Sequence, residues 1–217
     1  MPYEVPLRVD SHVHTWGPRG AAPDSPFAFP SGLEPPIDGE ASHLIAEMDQ
    51  AGVQRAFIVQ PKNHVYDHSY FHQCVRDFPD RFHGILLADP GPHGIADMEK
   101  LVASGHVGVR FHPGQWPKGE RFSNEAGKAL FAKAGELGVP VQLLMMEGLL
   151  AFMEDIQILV SHSPQTKVVL DHFAFGSTDS PREGEWEALM KLATNPNISV
   201  KTSAFFRVAK DPYPYLR

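Results

Sequence analysis

The sequence predicts an α/β fold, a (β/α)8 TIM barrel truncated after its seventh strand. Two observations predict it. Seven short apolar runs of strand length alternate with six helical stretches, at intervals of roughly 25 to 45 residues. Repeated βα units make a parallel sheet covered by helices, and seven of them suit a barrel better than an open doubly wound sheet. The second observation is that polar residues able to do chemistry fall at the ends of these runs, where such barrels carry their sites.

The first strand is LRVDSHV, residues 7–13. A stretch rich in Pro and Gly follows from Thr15 to Gly39, and a structureless segment this long is more often a functional lid than a linker. SHLIAEMDQAG (42–52) reads as a helix, with Leu44, Ile45 and Met48 on one face, Ser42 as the starting cap and Gly52 at the end. VQRAFIVQP (53–61) is the second strand. DHSYFHQCVRDFP (67–79) is a helix stopped by Pro79, and FHGILLADP (82–90) is a strand. IADMEKLVASG (95–105) is a helix ending at Gly105, before the strand HVGVRFHP (106–113). SNEAGKALFAKAGELG (123–138) is a helix for which Ser123 is the predicted cap. VPVQLLMM (139–146) is a strand, LLAFMEDIQILVSHSP (149–164) a helix and KVVLDHF (167–173) a strand. EGEWEALMKLAT (183–194) is the sixth helix, and ISVKTSAFF (198–206) the seventh strand. The sequence stops at KDPYPYLR, one helix and one βα unit short of closure. One domain over residues 1–217 is expected.

The composition narrows the function. A net charge of −7, with no run of Lys or Arg, argues against a nucleic-acid or anionic-membrane surface. No apolar run approaches the ~20 residues of a membrane span. No signal peptide is visible, and the single cysteine, Cys74, fits a reducing, cytoplasmic compartment. Phe71, Cys74, Val75 and Phe78 form one helical apolar stripe, so Cys74 is expected in the core rather than as a nucleophile. His64, His68 and His72 recur every four residues, and the apolar stripe predicts that His68 and His72 face water.

The strand ends supply the candidate site. His12 and His14 share one strand face about 7 Å apart, close enough to reach a common ion, and neutral imidazole suits zinc. His172 ends strand six, beside Asp171. Gln60 ends strand two, with His64 just beyond, and both are expected to touch ligand. Arg110 lies among apolar residues in GVRFHP; such an arginine needs an anion, either Asp171 or Asp89 within the fold or a substrate carboxylate. His112 shares its strand face. Lys201 points either into the barrel or to water. Asp10 either orients a site histidine or serves as a turn residue, and the turn role is preferred.

The stretches VDSHVHTW, GVRFHP, VVLDHFAF and ISVKTSAFFR, in this order, resemble the amidohydrolase superfamily, in particular its amidohydrolase-related group of 2-pyrone-4,6-dicarboxylate lactonase and sugar-acid lactonases. The resemblance runs from about Leu7 to Arg217. It implies a hydrolase that opens a small carboxylate-bearing lactone by water attack. His12, His14 and His172 are its implied catalytic residues and metal ligands, and Arg110 and Arg207 its carboxylate-binding groups. Gln60, His64 and His112 are further candidate substrate contacts. The sequence lacks the strand-four Lys or Glu and the strand-five His of two-metal members, so one divalent ion (Zn²⁺) or none is expected. The family's water-activating Asp belongs to strand eight, so weak or absent activity is expected of the truncated chain. The alternatives are a zinc-dependent decarboxylase of the same superfamily, or a non-catalytic barrel that binds a small acid or a partner chain. The expected partner is a small anionic substrate, without nucleic acid or membrane. Oligomeric state is not readable from the sequence.

Overall fold

A computed structural model describes residues 6–176 and 183–215. All seven strands and six helices form: β1 (Val9–Val13), α1 (Ala41–Ala51), β2 (Arg55–Val59), α2 (Ser69–Asp77), β3 (Phe82–Leu87), α3 (Gly94–Ala103), β4 (His106–Phe111), α4 (Glu125–Glu136), β5 (Val141–Leu143), α5 (Leu149–His162), β6 (Val168–Leu170), α6 (Glu185–Ala193) and β7 (Ile198–Val200). A short helix, α7 (Phe205–Val208), replaces the expected end of the seventh strand. The strand stops there because Ala204 turns left-handed, with φ 51°. Short 3-10 turns, Lys62–His64, Pro113–Gln115 and His172–Phe175, follow β2, β4 and β6. Strand order is β1 to β7 in chain order, and the β1–β2, β2–β3, β4–β5, β5–β6 and β6–β7 ladders are parallel. Among the described residues, no helix is long and apolar enough to cross a membrane.

The chain divides into two compact units, Met1–Leu87 with Ala103–Val107, and Ala88–Val102 with Gly108–Arg217. In the first unit, Ala56 and Ile58 of β2 and Phe82 of β3 pack against Met48 of α1 and Tyr70, Phe71 and Cys74 of α2. Burying a phenylalanine such as Phe71 contributes roughly 2–3 kcal/mol. Gly52 closes α1 at φ 66°, as the sequence implies, but the starting cap is Glu40 rather than Ser42. The histidine stripe does not face water. His68 is buried: its Nδ1–H donates to Tyr66 O at 2.8 Å, and its Nε2 accepts the Leu87 N–H at 3.0 Å. His72 stacks on buried His106, ring centroids 5.8 Å apart. Period alone assigned the stripe to the wrong environment, because β3 and the start of β4 cover that side of α2.

In the second unit, Phe111, Trp116, Phe122 and Phe152 form an aromatic stack with neighbouring centroids 4.8–5.3 Å apart. Asn124, not Ser123, caps α4, its side chain accepting the Gly127 N–H at 2.7 Å. Residue 127 must be glycine, since a Cβ there would sit 1.8 Å from Phe122 O. Ser123 is used elsewhere: its N–H and Oγ–H both donate to Asp155 Oδ1 of α5. Asp155 also receives Arg121, so a buried carboxylate ties the β4–α4 connection to α5.

Candidate active site

In the first unit, the end of β1 carries the histidine pair. A register shift between Asp10 and Val13 marks a bulge, a device that re-aims side chains at strand ends. The His12 and His14 rings meet edge to face with centroids 5.1 Å apart. His14 Nδ1 lies 2.8 Å from Val59 O. A carbonyl only accepts, so the proton sits on Nδ1 and the Nε2 lone pair is directed to other use. Asp10 is a turn residue: its Oδ1 accepts the His12 N–H at 2.9 Å.

Gln60 and His64 do not join this pair. Gln60 has the strand parity of Ala56 and Ile58, the helix-facing side. Its Nε2 donates to Asp67 O at 2.8 Å and, more weakly, to Val65 O, closing the loop after β2. His64 is buried; its Nε2 accepts the Gly17 N–H at 3.0 Å and its ring stacks on Phe29, centroids 4.5 Å apart. Burial lowers its pKa, with Asp67 opposing weakly. Both residues act on loops. The long Thr15–Gly39 segment is pinned at its ends, where Gly39 O accepts the Trp16 N–H at 3.0 Å and the Thr15 hydroxyl at 2.6 Å.

The second unit holds a buried ionic group at its strand ends. Arg110 Nε donates to Asp171 Oδ2 at 3.0 Å, so the structure supplies the anionic partner from within the fold. Lys201, just past β7, lies with its Nζ 3.8 Å from Asp171 Oδ1 and donates to Gln142 Oε1 at 3.0 Å. Relative exposures are 4% for Arg110, 9% for Lys201 and 0% for Asp171. Burial lowers the Arg110 pKa and Asp171 opposes it; an arginine this basic stays charged. His112 Nδ1 accepts the Gly114 N–H at 3.0 Å, which leaves its proton on Nε2.

His172 sits on an unusual backbone. His172, Phe173, Ala174 and Phe175 all have φ between 52° and 57°. Left-handed conformation costs roughly 1–2 kcal/mol per non-glycine residue, so this turn needs support. Hydrogen bonds from Phe173 N–H to Lys201 O and Ala174 N–H to Asp171 O provide it, with Phe173 packed against Phe205 of α7. The His172 ring is fixed by a 2.8 Å hydrogen bond between Nδ1 and Ser203 Oγ. Arg207 is exposed on α7, over the Phe206 ring at 5.5 Å.

Thus His12 and His14 come together in one unit, and Arg110, Asp171, Lys201 and Gln142 in the other. Asp171, Gln142, Lys201 and Ser203 were underweighted by sequence reasoning. The available signal was a charged or amide residue on one parity of β4, β5, β6 and β7, opposite an apolar parity.

The comparisons agree with this architecture. The chain is 28% identical to D-galactarolactone isomerase of Agrobacterium fabrum over 213 residues, 95% of this chain and 67% of that protein. A solved structure of a probable 2-pyrone-4,6-dicarboxylic acid hydrolase from Acinetobacter baumannii, with citric acid bound, matches at a TM-score of 0.73 and 18% identity, over 94% of this chain and 73% of that one. A zinc-bound amidohydrolase from Burkholderia multivorans matches at 0.68 and 19% identity, over 94% and 72%. At these identities the solved structures show the fold, that of the TIM-barrel class. The amidohydrolase family model matches residues 9–217, and the chain belongs to that family.

Proposed function

We propose that this chain carries the site of an enzyme that opens a small, carboxylate-bearing lactone by attack of water. The observation that carries the reading is the His12–His14 ring pair at the end of β1 in a chain of the amidohydrolase family. The relatives' own names support the substrate class, since one acts on a lactone and another holds a tricarboxylic acid. In this reading His12 and His14 polarise the lactone carbonyl and stabilise the developing oxyanion. Arg110 and His112, with Arg207 from α7, recognise the carboxylate. Gln60 and His64 hold loops and contribute indirectly.

The donor set fits a single divalent ion. The His14 hydrogen bond to Val59 O holds the proton on Nδ1 and fixes the ring, and imidazole nitrogen suits zinc. His12 and His14 would hold it from the end of β1, and a bound Zn²⁺ supplies Lewis-acid polarisation of a carbonyl oxygen. The test is to incubate the protein with 2-pyrone-4,6-dicarboxylate and with D-galactarolactone, with and without a chelator. Ring opening is followed by absorbance and NMR. Ring-opened acid, formed slowly and without release of CO₂, is expected. Release of CO₂ would instead indicate the decarboxylase chemistry of the same family, and no turnover in either condition would refute the reading.

A further inference from the structure

The Thr15–Gly39 segment lies wholly within the first unit and is closed at its neck, where Gly39 O accepts the Trp16 N–H and the Thr15 hydroxyl. Between its ends this strap rests on the turn Lys62–His64 that follows β2. Three contacts fasten it there. Asn63 Nδ2 donates to Leu33 O at 2.6 Å. Buried His64 accepts the Gly17 N–H through Nε2 at 3.0 Å, and its ring stacks on Phe29 with centroids 4.5 Å apart. The close approach requires glycine at 17, since a Cβ there would lie 2.8 Å from Phe27 Cβ. The turn is a stiff mount. Val65 is held at φ 49°, unfavourable for a β-branched residue, and Gln60 Nε2 ties down the next loop at Asp67 O.

Of the three contacts, one depends on a proton. A neutral imidazole accepts through one nitrogen and donates through the other, whereas an imidazolium donates through both. A proton on Nε2 would set donor against donor at the Gly17 N–H. Asp67 is the charged group that acts on the ring, and it favours the proton. Tyr70 of α2, its ring centroid 6.1 Å away, is a phenol that burial pushes up to about 12, so it stays neutral. The strap presents the Gly17 backbone and the apolar Phe29, and Lys62 shares the turn. Glu34 accepts the Gly20 N–H and faces Arg19; both bonds lie inside the strap and do not tie it to the turn.

We propose that His64 is a proton-operated latch: neutral, it holds the strap on the turn, and in acid it releases residues 17–33 while the neck stays closed. The strap begins at Thr15, directly after His14, so the latch governs chain that borders the β1 pair. The inference does not rest on the lactone reading. Latched His64 takes a proton less readily than released His64, whose ordinary value is 6.5. Release is therefore favoured as pH falls through 6.5, by at most about tenfold per pH unit.

The experiment is amide hydrogen exchange of the 217-residue protein at pH 7.5, 6.0 and 5.0, read by mass spectrometry and corrected for the intrinsic effect of pH on exchange. Protection of residues 17–33 is expected to fall about threefold or more from pH 7.5 to pH 5.0, while β2 and β3 stay far better protected than the strap. His64→Gln supplies an acceptor that does not titrate, and its strap protection is expected to hold level across the range. An equal fall in His64→Gln overturns the proposal, as does level protection in the parent. So does a strap that is unprotected at pH 7.5, or one that exchanges only as fast as β2 and β3, which would mean that the whole unit opens. If His64→Gln does not fold, an NMR titration of the parent decides. A His64 ring and a Gly17 amide that shift with one midpoint below 6.5 support the latch, and a Gly17 amide that does not follow the ring overturns it.

Discussion

Replacing Asp171 with asparagine tests the electrostatics of the strand ends. The side chain keeps its shape and an acceptor for Arg110, so the change removes charge rather than volume. It leaves Arg110 and Lys201 buried with no carboxylate between them, where the native group holds a 3.0 Å pair and a 3.8 Å contact. Breaking a buried ion pair by removing one partner costs about 3–5 kcal/mol. For a chain of this length that corresponds to a fall in Tm of roughly 6–20 °C. Thermal and urea unfolding, followed by circular dichroism, read both numbers. Adding Lys201→Met to Asp171→Asn should recover part of the loss, since one stranded cation is removed. A loss below about 1 kcal/mol would show that the group is well hydrated and would refute the account of a buried, mutually dependent set.

Other consequences lie further from the strand ends. Asp155→Ala removes the acceptor for Ser123 N–H, Ser123 Oγ–H and Arg121, and should cost about 2–4 kcal/mol in urea denaturation; a change within about 0.5 kcal/mol would mean the loop does not depend on α5. Burial pushes the Cys74 thiol up to about 11, so at pH 8 a disulfide reagent should modify it only as fast as the protein opens. Modification at the speed of free cysteine would contradict its burial. His64 has a folded pKa below its unfolded value of 6.5, so the unfolded chain takes the proton first and stability falls as pH drops through that value toward the folded pKa. His64→Gln keeps an acceptor for Gly17 N–H and should lose less stability between pH 7 and pH 5 than the parent. Identical pH profiles would remove His64 from the acid response.

The fold was largely legible because its signals are local. Each strand is a short apolar run, and each helix carries an apolar stripe. The errors arose where a neighbour decides the environment. His68 and His72 follow helical spacing, but Tyr66 O, the Leu87 N–H of β3 and the His106 ring of β4 engage them. Ser42 and Ser123 are good capping residues by type, yet Asp155 takes Ser123 and leaves the α4 cap to Asn124. Gln60 sits at a strand end but on the parity that faces the helices, and parity at the end of a short strand is hard to read where a loop follows at once. Asp171 was one of the partners open to Arg110, but the two lie 61 positions apart, and only the paired strands select it over Asp89 or a substrate. The left-handed run at His172–Phe175 has no glycine to announce it; beside a local bond to Asp171 O it depends on one to Lys201 O that exists only after β6 and β7 pair.

The central claim is that the β1 histidines carry the chemistry. The most direct measurement is the rate of lactone opening by the double variant His12→Ala, His14→Ala beside the parent protein, with circular dichroism confirming that both are folded. The account predicts that the variant loses at least about 10²-fold in rate while its melting temperature stays near that of the parent. Full lactone opening by the folded variant would contradict it.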